Sequence, residues 1–282
     1  MKVFVPSKNR ASQLHLLVES LKYFCPNLQT DIHVLYTADR KEFNYGYDKF
    51  AKLNPDVKME YEACFESDFT YYLQQNINEH VMLLTDDCVF YNQFLGNELD
   101  VKIAMIESAW CFSFRLGLNT TTQWYRTGSQ QDHLNILGYN TMTTSRGEDF
   151  IRWNWKIRPA FENYGYMMSW DGHVYRAKDL AALSKQFSFY NPRTFEDRAT
   201  KNPENRALIT KKYMVAPAIS CLFVNTINAV QEEPPPFGEK YHMSPEELNE
   251  RYLGGEVIDI ATFEGLELTG SHDEIPLQFR KV

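Results

Sequence analysis

Asp86 and Asp87 stand side by side at the end of an apolar run, His80-Val81-Met82-Leu83-Leu84-Thr85. Like charges this close repel, so the pair calls for a cation or for hydrogen-bond donors to hold it. Short polar clusters recur elsewhere: Ser7-Lys8-Asn9-Arg10, Asp39, Arg115-Leu116-Gly117, Trp170-Asp171-Gly172-His173 and Phe195-Glu196-Asp197-Arg198. Carboxylates in such company can hold a hard divalent ion, accept hydrogen bonds from hydroxyls, or take up a proton as a general base. Arginine beside them suits anionic ligands, which it grips through parallel hydrogen bonds.

An alternation of strands and helices must position these residues. Lys2 to Pro6 reads as a strand, and behind the turn Ser7-Lys8-Asn9-Arg10 the apolar residues Leu14, Leu17, Val18, Leu21 and Phe24 fall on one helical face. Ile32 to Tyr36 is a second strand, leading through Thr37-Ala38-Asp39 to a helix around Tyr45 to Leu53. Val57 to Tyr61 is a third strand, Asp68 to Ile77 a helix, and Val81 to Leu84 a fourth strand of the buried parallel kind. Such alternation implies right-handed crossovers, which bring the first loop, the second loop and the Asp-Asp turn to the edge where open α/β sheets bind ligands.

Past residue 95 the pattern loosens. Val101 to Glu107 reads as a helix, Ala109 to Phe114 as a strand, and the polar stretch Asn119 to Ser145 as an excursion or lid. Ile151 to Ile157 alternates like a strand, with Trp153 and Trp155 on one face, while Lys178 to Lys185 and Phe195 to Asn205 read as helices. Pro234-Pro235-Pro236 is a stiff break. After it, Ser244-Pro245-Glu246-Glu247 supplies an N-cap, a proline at the first helical position and a capping-box glutamate for a helix ending near Gly254-Gly255.

Composition narrows the class. With 282 residues, 44% of them hydrophobic and 15% aromatic, the chain lies clear of the disordered regime and no stretch is apolar enough for a transmembrane segment. A net charge of −8 without a Lys/Arg run disfavours a nucleic acid partner. Cys25, Cys64, Cys88, Cys111 and Cys221 are scattered and form no C-x-x-C pair, which fits a reducing compartment better than a disulfide framework or a zinc cluster. Met1 to Pro6 runs straight into a strand with no secretory leader, so the expected location is cytoplasmic, with peripheral membrane attachment open; the sequon Asn119-Thr120-Thr121 would then be idle.

The order of the clusters resembles the glycosyltransferases of the GT-A fold, and is similar to the inverting family 2 enzymes. The likeness rests on the βα-rich first half, Asp86-Asp87 as a DXD-type motif after the fourth strand, Trp170-Asp171-Gly172, and Glu196-Asp197. It implies an α/β fold with a Rossmann-like nucleotide-binding half, a mixed central sheet and flanking helices. It also implies a catalytic domain over residues 1–230, divided into a nucleotide-binding half (1–115) and an acceptor-binding half (116–230), with 231–282 a C-terminal extension packed on the core. A full Asp-x-Asp would place a third acid where Cys88 stands, so the match is to the Asp-Asp variant of the motif.

The resemblance assigns roles. Asp87 would hold Mn2+ or Mg2+ against the diphosphate of a nucleotide-sugar donor, a UDP- or GDP-sugar, with Asp86 as the ligand if the alignment shifts by one. Otherwise Asp86 would accept hydrogen bonds from the ribose. Ser7, Asn9 and Arg10 would meet the nucleotide, Asp39 the base, and Arg115 the sugar or diphosphate. Asp171 would touch the transferred sugar, with Trp170 as a stacking face, unless Asp171-Gly172 is only a turn. Asp197, or Glu196 in its place, would be the base for a glycan acceptor hydroxyl. Glu196-Asp197 read alone is also an acidic first turn behind Thr194. His242 is a candidate further metal ligand. The rival activities are a sugar nucleotidyltransferase, although Ser7-Lys8-Asn9-Arg10 has no phosphate-loop glycine, and a non-catalytic binding relative.

Overall fold

The computed structural model describes residues 1–122, 138–143, 147–228, 230 and 240–282. The middle of the expected excursion, 123–137 and 144–146, and the triple-proline break lie outside the described residues.

The first half alternates as the periodicity requires: β1 (Lys2–Lys8), α1 (Ala11–Phe24), β2 (Asp31–Thr37), α2 (Lys41–Leu53), β3 (Lys58–Tyr61), α3 (Phe65–Gln75) and β4 (His80–Leu83). Leu14, Leu17, Val18, Leu21 and Phe24 of α1 are all buried. They are followed by β5 (Cys88–Phe90), α4 (Glu98–Ala104), β6 (Ala109–Ser113), β7 (Asn140–Thr143), β8 (Asp149–Asn154) and β9 (His173–Arg176). Then come α5 (Ala177–Ser184), α6 (Pro192–Lys201), α7 (Pro203–Leu208), β10 (Tyr213–Pro217), β11 (Leu222–Asn225) and α8 (Pro245–Leu253). The chain closes with β12 (Glu256–Ile258), β13 (His272–Asp273) and β14 (Phe279–Lys281).

Nine strands form one sheet in the order β3-β2-β1-β4-β9-β6-β10-β8-β7. Strands β3, β2, β1 and β4 are parallel, β9 runs against both β4 and β6, and β10 pairs with β6 in parallel. This is the mixed central sheet with flanking helices that the resemblance implies. One apolar layer packs α1 and α2 on one face, and a second packs α3, α5 and α6 on the other. Because β9 enters the sheet at the edge where β1, β2, β4 and β6 leave it, the turns after those four strands and the turn before β9 share one rim.

Several local readings change. Phe195 to Asn205 is two helices, because Asn202 is extended and caps α7 with Pro203 at its first position. Trp155 lies in a 3-10 turn after β8 rather than on the strand face of Trp153. Both indoles are core: Trp153 Nε1 donates to the Tyr164 carbonyl at 2.7 Å and Trp155 Nε1 to that of Lys211 at 2.9 Å. Ser244 caps α8 by accepting from the Glu247 N–H at 3.2 Å. The amide of Asn119 is engaged inside the protein, donating to Tyr91, Ser220 and the Leu268 carbonyl.

A second sheet of three strands has the order β13-β11-β5. It joins the residues just after Asp87 to the C-terminal segment, with Val224 of β11 opposite both Cys88 and His272. Helix α8 packs on α1 and α2, where Asn249 Nδ2 donates to the Glu42 carbonyl at 2.9 Å. Among the described residues, no helix is long and apolar enough to cross a membrane.

Candidate active site

The cation required by Asp86 and Asp87 is, in the first place, Arg10. One guanidinium nitrogen, Nη1, lies 3.0 Å from Asp86 Oδ1 and 2.9 Å from Asp87 Oδ2, and Nη2 donates to the Asn228 carbonyl at 2.6 Å. Asp86 Oδ2 accepts from Ser7 Oγ at 2.8 Å and from the Lys8 N–H at 3.2 Å. Ser7 is itself paired with Tyr47 Oη at 2.8 Å. Ser7, Arg10 and Asp86, expected to meet the nucleotide, are all buried and bonded to one another, and Arg10 Nε has no partner among the described residues. Burial lifts the Asp86 carboxyl to about 6 against the opposing pull of Arg10. Burial alone would lower the Arg10 pKa, but Asp87 and Asp86 hold it above the ordinary arginine value.

Asp87 differs from its neighbour. Its Oδ2 faces Arg10, and Oδ1 has no donor among the described residues. Cys88, at the position of a third acid, is buried in β5 with its thiol 3.2 Å from Thr85 Oγ1.

Asn9 and Asp39 come together at the rim. Asn9 adopts φ 59, a left-handed conformation that asparagine tolerates better than most residues. Its side chain clasps Asp39 both ways, Nδ2 donating to Asp39 Oδ2 at 2.8 Å and Oδ1 accepting from the Asp39 N–H at 3.0 Å. The Asp39 carboxylate remains exposed, with Lys8 at 3.5 Å.

A second group gathers where β6 ends and β9 begins. Arg115 Nη1 lies 3.1 Å from Asp171 Oδ2, Ser169 Oγ 3.2 Å from that oxygen, and Thr85 Oγ1 3.1 Å from Asp171 Oδ1. Arg115 is buried, its Nε has no partner, and its guanidinium lies over the Tyr166 ring. Gly172 makes the turn at φ +78 and ties the sheet together, donating to the Leu83 carbonyl and accepting from the Phe114 N–H. The Asp-Gly turn thus coexists with a carboxylate held by Thr85, Arg115 and Ser169. Trp170 is corrected: it is 1% exposed, packed against Phe69 and Phe195, and presents no face to a sugar.

Glu196 faces this group and Asp197 does not. Helix α6 begins at Pro192 behind an Asn191–Thr194 capping box, so the acid pair sits in its second turn rather than its first. Phe195 anchors that turn in the core. Glu196 is half-buried beside Ser169, and burial together with the Asp171 charge raises its carboxyl to about 8, with Arg115 opposing. Asp197, also half-buried, pairs with Lys201 at 2.7 Å.

His272 belongs to the cluster and was not a candidate from the sequence. It opens β13, and its Nε2 lies 3.7 Å from Asp171 Oδ2. Burial, with Arg115 adding to it and Asp87 opposing, pushes its pKa down to about 3, so the ring is neutral. Only the pairing of β13 with β11 brings it here, and no local spacing announces that. His242, by contrast, is exposed ahead of α8.

The donor set suits the divalent ion that the resemblance implies. Among the described residues no three His, Cys, Asp or Glu side chains form a ready metal cage. An open carboxylate oxygen on Asp87 and a neutral imidazole on His272 nevertheless fit an ion that arrives with phosphate oxygens of its own.

No family model matches the chain. It is 26% identical over 256 residues to the bifunctional glycosyltransferase pgtA of Dictyostelium discoideum, a likeness covering 82% of this chain and 32% of that protein. The chain therefore spans about a third of the length of that relative. Among solved structures, the galactosyltransferase LgtC in complex with donor and acceptor sugar analogues aligns at a TM-score of 0.40 and 11% identity, over 90% of this chain and 96% of that one. The mannosyltransferase PcManGT from Pyrobaculum calidifontis, in complex with GDP-Man and Mn2+, aligns at a TM-score of 0.29 and 14% identity, over 40% and 34%. The likeness to glycosyltransferases read from the motifs is met again, along most of the chain, in the curated relative.

Proposed function

We propose that the chain is the sugar-transferring domain of a metal-dependent glycosyltransferase. It moves a sugar from a nucleoside diphosphate, UDP or GDP, to a glycan or other hydroxyl acceptor with inversion at the anomeric carbon. The observation that carries this reading is Glu196, a carboxyl raised to about 8 that faces the Asp171–Arg115 pair across the rim from Asp87. A base with a pKa near the working pH is what removal of a hydroxyl proton requires.

Asp39, held by Asn9, offers an exposed acceptor to the N–H or hydroxyl groups of the nucleoside. Arg115 fixes Asp171, whose carboxylate accepts from hydroxyls of the transferred sugar. Glu196 takes the proton of the acceptor hydroxyl as its oxygen bonds to the anomeric carbon and the bond to the diphosphate breaks, releasing the nucleoside diphosphate. Asp197, one residue on, adds charge that helps to keep Glu196 basic. Asp87 and His272 would hold a divalent ion, whose charge makes the diphosphate a better leaving group. An imidazole in the donor set favours Mn2+ over Mg2+.

The test is release of nucleoside diphosphate from a panel of nucleotide sugars, with Mn2+ or Mg2+ and mono- and oligosaccharide acceptors. Turnover with a β-linked product from an α-linked donor supports the reading. No turnover with any donor together with no metal-dependent nucleotide binding overturns it, and release of pyrophosphate instead assigns a nucleotidyltransferase.

A further inference from the structure

Asn225, the last residue of β11, sits between the two residues assigned to the metal and touches the backbone on both sides. Its N–H donates to the Asp87 carbonyl at 2.9 Å. Its side chain clasps the segment after β13, Nδ2 donating to the Ile275 carbonyl at 3.1 Å and Oδ1 accepting from the Ile275 N–H at 2.9 Å. The side chain is buried, and every one of these bonds is made inside the protein. The flanking residues extend the seam: Val224 N–H donates to the Ser271 carbonyl and Thr226 N–H to that of Asp273, both at 3.0 Å, so His272 is bracketed by bonds to β11.

The covalent distance between Asp87 and His272 is 185 residues, yet a single strand separates them in space. β13 is only His272–Asp273 and its pairing with β11 has two registered positions, too short to fix a side chain by itself. The reciprocal amide clasp adds two hydrogen bonds immediately beyond it and closes the end of this short strand. We propose, on the reading of the site given above, that Asn225 is a positioning residue which sets His272 relative to Asp87 and so determines the affinity for the divalent ion.

Asn225→Ala keeps the N–H bond to Asp87 and removes only the clasp, so the Asp-Asp turn stays and the His272 segment loosens. Outer partners that orient metal ligands commonly change metal affinity by about 10–100-fold when removed. The experiment measures Mn2+ affinity by electron paramagnetic resonance, in the presence of UDP and, separately, of GDP. The proteins are wild type, Asn225→Ala, Asn225→Asp, Asn249→Ala, Asp87→Ala and His272→Ala. Asn249→Ala serves as the control, since it removes a buried amide from the same C-terminal segment far along the chain from His272.

The expected result is Mn2+ binding weakened at least tenfold in Asn225→Ala. Asn225→Asp, which keeps the acceptor for the Ile275 N–H, should be weakened less, and Asn249→Ala not at all. Raising Mn2+ should restore turnover in Asn225→Ala to the wild-type kcat. Should Asn225→Ala not fold, Asn225→Asp carries the comparison. Wild-type Mn2+ affinity in the folded Asn225 variants, with Asp87→Ala and His272→Ala both weakened, overturns the positioning role and leaves the metal site standing. Unchanged affinity in Asp87→Ala and His272→Ala overturns the metal site and the positioning role together.

Discussion

Glu196→Gln is the sharpest perturbation, because the group it removes is held in an unusual state. An ordinary glutamate ionises near 4.5, and this one is raised to about 8 by burial and by the Asp171 charge. At pH 7 about a tenth of the molecules then carry the carboxylate, and at pH 9 about nine-tenths do. If Glu196 is the base, kcat/KM climbs with unit slope from pH 6 and levels off above pH 8. Glu196→Gln lowers it by about 100–10,000-fold and flattens the profile. Linkage adds a second signature with the opposite sense. A carboxyl raised on folding contributes stability that is fully present below pH 4.5 and is lost as the pH rises through 8. At about 1.4 kcal/mol per pH unit this loss has an upper limit of about 5 kcal/mol by pH 8. The glutamine variant has no such loss, so it should match wild type at pH 4.5 and exceed it in urea denaturation at pH 8.5. Initial rates of nucleoside diphosphate release from pH 6 to 9 with Mg2+, together with urea midpoints at both pH values, check the pair. A wild-type profile that is flat across this range, or a variant within tenfold of wild type, refutes the argument.

Arg10→Met removes the guanidinium that both aspartates share and should cost about 3–5 kcal/mol in urea denaturation, since it leaves buried carboxylates without a counter-charge. A loss below 1 kcal/mol would show that the ion pairs do not hold the turn. Trp170→Ala should cost about 3–5 kcal/mol of stability through the cavity it opens, whereas a weaker sugar KM with unchanged stability would return Trp170 to the ligand face. His15 and His80 are both pushed down to about 4, mainly by burial, so the unfolded chain binds protons that the folded chain does not. Their contribution to stability should therefore be lost as the pH drops from 6.5 toward 4, by about 1.4 kcal/mol per unit for His15 and by less for the more exposed His80, and His80→Gln should remove its share of that loss in urea midpoints.

Legibility in the sequence followed the range of the interactions. Strand β4 and helix α1 were readable because burial imposes a local period, and the rim was readable because parallel crossovers have one hand. Asp87 and Asp171 stand out by residue type at turns, and Glu196 only as half of an acid pair within a helix. What the sequence could not supply was direction. Arg10 reads as a ligand-facing cation, yet Asn9 in its left-handed conformation turns the chain so that the guanidinium points inward to Asp86. Glu196 and Asp197 differ by about 100° around a helix, and the start of α6 at Pro192 decides which of them faces Asp171. His272 had no signal at all, since its place depends on strand pairing across nearly the whole chain.

That pairing orders events during synthesis. A nascent chain that has emerged through residue 225 already contains Asp87, Arg115, Asp171 and Glu196, along with both strands that flank the Asp-Asp turn. The third strand of the small sheet arrives 47 residues later with His272. The Asp-Asp turn and its flanking strands are thus made well before the short strand that sets His272 beside Asp171.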